Sequence, residues 1–288
     1  MTGERKTILD VRDLQIVLPA GGDRPYALSD FNLTVGEGEI VCLVGESGSG
    51  KSLAANAVMR LLPEPHVRAS RGTIRLGGQD LLSLSEAGMR DIRGDRMAMI
   101  FQEPMTALNP QKSVGWQIDE VLKLHTKLSK AERKARTLEI LHDVHIPDPA
   151  STYNAYPHQI SGGQRQRVMI AMALVLKPQL LIADEPTTAL DVTTQKQILK
   201  LIKDLQQAQG TGILFITHDF GVVAEIADRI AVLRFGELVE QGPASQILLN
   251  PQHPYTQKLI AAVPTLTPPP AKPVSHEPVV LEAKDLRK

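Results

Sequence analysis

The stretch "GESGSGKS", residues 45–52, has the composition and spacing of a phosphate cradle. Glycine lets backbone N–H groups turn inward around phosphate oxygens with no Cβ in the way. In the pattern G-x-x-x-x-G-K-[ST], Gly45, Glu46, Ser47, Gly48, Ser49 and Gly50 supply the loop. Lys51 supplies a mobile charge for the β- and γ-phosphates, and Ser52 a hydroxyl for Mg2+. What happens to the phosphate depends on other residues. The run "LLIADEP", residues 180–186, ends in two acids: Asp184 to hold the metal, through a water or through Ser52, and Glu185 to act as general base on a water. Gln102, in "MIFQEP", carries an amide that can touch Mg2+ or the water without fixing charge. His218, after "LFIT", is placed to orient that water against the γ-phosphate.

These residues must be carried by something rigid. Residues 40–44, "IVCLV", predict a strand that breaks at Gly45, and Leu53, Ala54, Ala57 and Val58 follow at helical spacing. The loop therefore opens a helix, whose positive end adds to the anion site. "GTIRLGGQDLL", from Gly72, predicts a hairpin turning at Gly-Gly. Residues 115–145 are helical in pattern, and "SKAE" within them is a capping box that starts a new helix at Ser129. The greasiest stretch, residues 168–183, is split by Lys177 and Pro178 into a buried helix and a buried strand. Ile198, Leu201, Ile202 and Leu205 predict a one-sided helix stopped by Gly210. "GILFITHD", residues 212–219, is a further apolar strand. Strands alternating with helices imply an α/β fold with a parallel sheet, which binds ligands at the carboxyl edge of its strands.

Composition excludes other classes. Of 288 residues, 42% are apolar, enough for a substantial core. Lys+Arg and Asp+Glu balance at 32 each, so no basic surplus calls for a nucleic-acid partner. One cysteine, Cys42, cannot build a disulfide framework or a zinc cluster, and its apolar surroundings predict a core residue. The opening residues have no signal-peptide pattern, and no apolar run reaches the roughly 20 residues that span a bilayer.

"SGGQRQR", residues 161–167, adds a second serine-and-glycine helix start, another anion site. A single nucleotide does not need two in one subunit, so the second is expected to serve a neighbour's nucleotide. The ordered set "GESGSGKS", "FQEP", "SGGQRQR", "LLIADEP", "ALD" and "ITHD" resembles the ATP-binding subunits of ABC transporters. That resemblance implies a P-loop ABC ATPase fold with a RecA-like parallel-sheet core, an antiparallel β subdomain and an inserted helical signature subdomain at about residues 103–177. It implies ATP and Mg2+ as ligands, and two such domains sandwiching two ATP molecules. Ser161, Gly162, Gly163 and Gln164 would then face a γ-phosphate held by a partner domain, Asp191 would cross the seam, and Tyr26 is the candidate to stack on adenine. Two membrane permease subunits, and indirectly an extracytoplasmic solute-binding protein, are the implied partners. The implied location is peripheral, on the cytoplasmic face of the inner membrane.

"NPQHPYTQKLIAAVP", residues 250–264, resembles the end of dipeptide, oligopeptide and nickel importer ATPases; many stand-alone members then carry a cysteine-rich tail, and this sequence departs from them in having no cysteine after Cys42. ATP-driven import of peptides or related small solutes is the implied function. A soluble ABC protein acting on ribosomes or DNA, and an export ATPase, are the competing readings. Residues 1–263 read as one nucleotide-binding domain. Residues 264–279, with six prolines, read as a stiff linker. Residues 280–287, "VLEAKDLR", repeat residues 8–15, "ILDVRDLQ", at three identical positions of eight, an edge-strand pattern. Residues 280–288 are thus expected to begin a second ATPase domain, as in tandem-fused peptide or microcin C uptake ATPases.

Overall fold

The computed structural model describes residues 5–21, 24–102, 107–187 and 190–263. Its strands are β1 (Thr7–Val17), β2 (Tyr26–Gly36), β3 (Ile40–Val44), β4 (Arg68–Leu76), β5 (Gln79–Asp80), β6 (Met97–Ile100), β7 (Leu180–Asp184), β8 (Gly212–Thr217), β9 (Arg229–Arg234) and β10 (Glu237–Pro243). Its helices are α1 (Lys51–Val58), α2 (Glu86–Ile92), α3 (Val114–His125), α4 (Lys130–Asp143), α5 (Pro149–Asn154), α6 (Gly162–Leu174), α7 (Val192–Gln209), α8 (Phe220–Ile226), α9 (Ala244–Leu249) and α10 (Pro254–Ala261). Residues 264–288, which hold the expected linker and second-domain start, lie outside the described residues.

A six-stranded sheet runs in the order β10-β9-β3-β8-β7-β6, parallel except for the β9–β10 hairpin. Its central strands are apolar throughout because both faces are covered. In β3, Ile40, Cys42 and Val44 face one core while Val41 and Leu43 face the other. β8 divides in the same way, with Phe215 on the first side and Leu214 and Ile216 on the second. The period of two along a strand thus distributes one apolar run between two cores. The first core packs against α6, α7 and α8. The second joins α1 to an antiparallel sheet, β2-β1-β4-β5. The β4–β5 turn falls on Gly77 and Gly78, both at positive φ, as the Gly-Gly pair requires.

One expectation needs correcting. Residues 8–15 read as an edge pattern, but β1 pairs with β2 on one side and β4 on the other. Ile8, Leu9, Val11 and Leu14 are buried because the second core covers them. The helical stretch divides as expected into α3 and α4. Ser129 and Glu132 exchange both capping-box bonds at the start of α4, satisfying helix N–H groups that would otherwise lack partners. An Arg133–Asp119 pair, 2.8 Å, ties α4 back to α3. At Gly115 of α3 an added Cβ would lie 2.4 Å from the Tyr153 ring, so only glycine lets α5 cross so closely.

Candidate functional site

The phosphate-loop edge lies where β3, β7 and β8 end side by side. Gly45, Gly48 and Gly50 all hold positive φ. At Gly45 the constraint is also steric, since a Cβ would meet the Leu233 carbonyl at 2.2 Å. Neighbours fix the loop from outside: Gly236 N–H donates to the Ser49 carbonyl at 2.8 Å, and Arg24 donates to the Gly48 carbonyl. Lys51 is buried and folds back, its Nζ donating to the carbonyls of Gly45 at 2.7 Å and Glu46 at 2.9 Å. Burial lowers its pKa, and the Glu185 and Asp184 carboxylates partly offset that. Ser52 Oγ donates to Asp184 Oδ1 at 3.2 Å. Burial pushes the Asp184 carboxyl up, aided by Glu185 and opposed by the Ser52 bond and Lys51.

Beside the loop, three side chains from three strand ends converge. Glu185 follows β7 and sits at φ 46°. Its Oε2 accepts from Gln102 Nε2 at 2.9 Å, and its Oε1 is 2.9 Å from His218 Nδ1. A carboxylate only accepts, so in that form of Glu185 the imidazole proton lies on Nδ1 and Nε2 is left to meet a ligand. Gly45, Glu46, Ser47, Gln102, Glu185 and His218 line a cavity of about 510 Å3, with Phe220 and Leu259 as its apolar wall.

The fit to a phosphate ligand can be judged from this geometry. Ser49 Oγ is buried with no hydrogen-bond partner, the position of a donor awaiting an acceptor. Lys51 is held by carbonyls alone, with no carboxylate bonded to its ammonium in the described hydrogen bonds. For a divalent cation, Ser52 Oγ and the Asp184 carboxylate offer hard oxygen donors 3.2 Å apart, and Gln102, bonded to the neighbouring Glu185, carries an amide oxygen. Among the described residues no group of three or more His, Cys, Asp or Glu could hold a metal. A small oxygen set completed by phosphate and water is what Mg2+ accepts.

The other predicted residues lie apart. Ser161 caps α6: its Oγ accepts from Gln164 N–H at 3.2 Å, while Gln164 Oε1 accepts the Ser161 N–H at 2.9 Å. Ser161 and Gly162 are exposed, and a Cβ on Gly162 would meet nothing within 4 Å. A Cβ on Gly163 would lie 3.0 Å from Thr194, whose hydroxyl donates to Asp191 Oδ2 at 2.7 Å. The start of α6 and Asp191, the N-cap of α7, therefore share one exposed face. Those bonds to Thr194 hold the Asp191 carboxyl below its ordinary range. Tyr26 opens β2, 38% exposed, next to Ala27, whose carbonyl is 2.7 Å from where a Gly50 Cβ would be. It thus stands at the rim of the loop. Cys42 is fully buried and its thiol is pushed up by burial, as a core residue should be. Sequence reasoning missed Arg24 and Tyr255. Tyr255 Oη accepts the Glu46 N–H at 3.2 Å, from 209 residues away.

A glycine loop between a central parallel strand and a helix, with an acid-ended strand beside it, defines a phosphate-loop nucleotide-binding α/β domain. The ABC transporter family model matches residues 28–188, and the chain belongs to that family. A second model, the oligopeptide/dipeptide transporter C-terminal region, matches residues 239–284. Oligopeptide transport ATP-binding protein OppD of Bacillus subtilis (strain 168) is 52% identical over 259 residues, which cover 90% of this chain and 72% of that protein. Peptidoglycan transport ATP-binding protein YejF of Agrobacterium fabrum (strain C58 / ATCC 33970) is 49% identical over 280 residues. That match covers 97% of this chain, which spans about half (51%) of the relative's length. Among solved structures, the ATP-binding cassette MJ0796, a dimer in a post-hydrolysis state bound to ADP and Pi, superposes at TM-score 0.72. It is 30% identical and covers 82% of this chain and 99% of its own. The chain is thus an ATP-binding protein with the α/β P-loop fold of ABC ATPases. No helix among the described residues is long and apolar enough to cross a membrane.

Proposed function

We propose that this chain hydrolyses ATP to energise import of peptides or related small solutes through a membrane permease. The observation that carries the reading is the convergence of Gln102 and His218 on Glu185 beside a Lys51-bearing phosphate loop. Gly45 to Ser52 hold the phosphates, with Lys51 leaving its carbonyl partners for the β- and γ-oxygens. Mg2+, when bound with the nucleotide, would be held by Ser52, Asp184 and Gln102, and supplies charge neutralisation. Glu185 takes a proton from the attacking water as the new O–P bond forms and the bond to the γ-phosphorus breaks, releasing ADP and phosphate. His218 fixes the Glu185 carboxylate from one side and offers Nε2 toward the γ-phosphate. Tyr26 stacks on adenine.

Ser161, Gly162, Gly163 and Gln164 serve the nucleotide of a second ATPase domain, and Asp191 meets it across the seam. The exposed face they share supports this. That second domain belongs to the same polypeptide in our reading. The repeat at residues 280–288 and a relative about twice as long support it.

The permease subunits dock near Gln102 and the helical region after it, where an apolar cleft is lined by Met59, Met99, Phe101, Leu108, Met169 and Met172. Phe101 precedes Gln102, so a movement of the docked element reaches the Glu185 bond directly. Methionines suit a surface that must repack as it moves. The match to the oligopeptide/dipeptide C-terminal region favours peptides, delivered by an extracytoplasmic binding protein. The chain then sits peripherally on the cytoplasmic face of the inner membrane. Uptake of a labelled peptide by cells expressing the transporter tests this. Uptake should vanish when Glu185→Gln replaces the wild type, and uptake that persists in that variant would remove the proposal.

A further inference from the structure

The element used above only to indicate a subfamily, "HPYTQKL", reaches the phosphate loop itself. Its helix α10 is anchored firmly. The Glu240 carboxylate of β10 accepts the N–H groups of Gln252 at 2.7 Å and His253 at 3.1 Å. His253 Nδ1 then caps the helix by accepting the Tyr255 N–H at 3.1 Å. Tyr255 is 7% exposed. The Arg234 guanidinium lies 5.0 Å from the Tyr255 ring centroid, and also over the Phe235 ring at 5.4 Å. This packing aims Tyr255 Oη at the loop, where it accepts the Glu46 N–H.

We propose that Tyr255 is a positioning residue of the phosphate loop, a role that rests on the nucleotide-binding reading of that loop. The Glu46 amide held outward by Tyr255 fixes the Gly45–Glu46 peptide, whose carbonyl is the one Lys51 contacts at 2.7 Å, and leaves the cradle to the N–H groups that follow. Gly236 N–H holds the far side of the loop through the Ser49 carbonyl. The loop is thus clamped at residues 46 and 49 by the segment that follows β9. One turn beyond Tyr255, Leu259 lines the cavity that holds Glu185 and His218, so the same helix walls the reacting site. A clamped loop loses less freedom when nucleotide binds, which raises affinity without touching the chemical step.

The test is Tyr255→Phe in the full-length protein, which removes the hydroxyl and keeps the ring against Arg234. Affinity is read by titration with a fluorescent N-methylanthraniloyl-ATP, and turnover at saturating ATP is read alongside. Loss of one hydrogen bond should weaken binding about three- to tenfold. Turnover at saturation should stay within about twofold, and the peptide containing Glu46 should exchange amide hydrogen faster. Wild-type affinity in Tyr255→Phe, or lost turnover with unchanged affinity, would overturn the proposal. Lys51→Ala separates the two levels. If it too binds as wild type, the nucleotide-binding reading fails. If it loses binding while Tyr255→Phe does not, only the clamp fails.

Discussion

The two glycine-and-serine helix starts of this molecule differ in how complete they are. The loop at residues 45–52 is finished from within: β3 and α1 flank it, Lys51 and Ser49 are buried in it, and Arg24, Gly236 and Tyr255 brace it. The start of α6 stands exposed instead. Ser161 and Gln164 satisfy one another, a Cβ on Gly162 would meet nothing within 4 Å, and one on Gly163 would meet the Thr194 methyl at 3.0 Å. A helix terminus that ends a buried strand is an internal site, while one standing on an exposed face is half of a site. The difference teaches that binding and turnover should be separable by mutation, one belonging to each region.

The largest expected effect is at the internal site. Lys51→Ala removes an ammonium buried in the cradle and should weaken ATP binding by about a hundredfold or more, measured by nucleotide titration, since it deletes a charge-assisted contact to two phosphates. A smaller binding change than that of the α6 variant below would dissolve the contrast. Glu185→Gln leaves the cradle intact and keeps one acceptor oxygen for either Gln102 or His218, while the other must present an acceptor to the new NH2. Binding should stay within about threefold while turnover falls about a hundred- to ten-thousandfold, the usual worth of a general base. A rapid-quench assay of phosphate release reads this directly.

The smallest effect sharpens the comparison through stability. The Asp184 pKa is raised in the folded protein, chiefly by burial. The folded state therefore binds that proton more tightly than the unfolded chain. The ionised carboxylate subtracts from stability above the unfolded pKa, and the loss is complete above the raised folded value. At neutral pH, Asp184→Asn should raise the Tm of the nucleotide-free protein while weakening Mg2+-dependent binding. The gain should disappear as pH falls below the unfolded value. Thermal melts at two pH values check it. Asp191, exposed and capping α7, has no burial to relieve, and the same substitution there should give no such gain.

Legibility in the sequence followed the same division. Residues 40–58 and 180–186 could be read directly, because each packs its chemistry into one strand and the turn after it. Gln102, Glu185 and His218 could each be picked out at a strand end, but their hydrogen bonds to one another span three strands far apart in sequence and are visible only in the fold. The Tyr255–Glu46 bond was not legible. It joins residues 209 apart through a helix whose apolar pattern speaks only of burial. The status of β1 was misjudged because alternation reports which face is buried, and says nothing of how many neighbours a strand has.

The most direct test of a divided site is the full-length protein carrying Gly162→Asp, with ATP affinity and steady-state turnover measured on one preparation. The residue has room for a side chain in this fold, so the substitution changes only what meets the α6 terminus from outside. The account predicts affinity within about twofold of wild type and turnover lower by about a hundredfold, as when one preorganised donor site is lost. Full turnover in that variant, or affinity lost together with turnover, would contradict it.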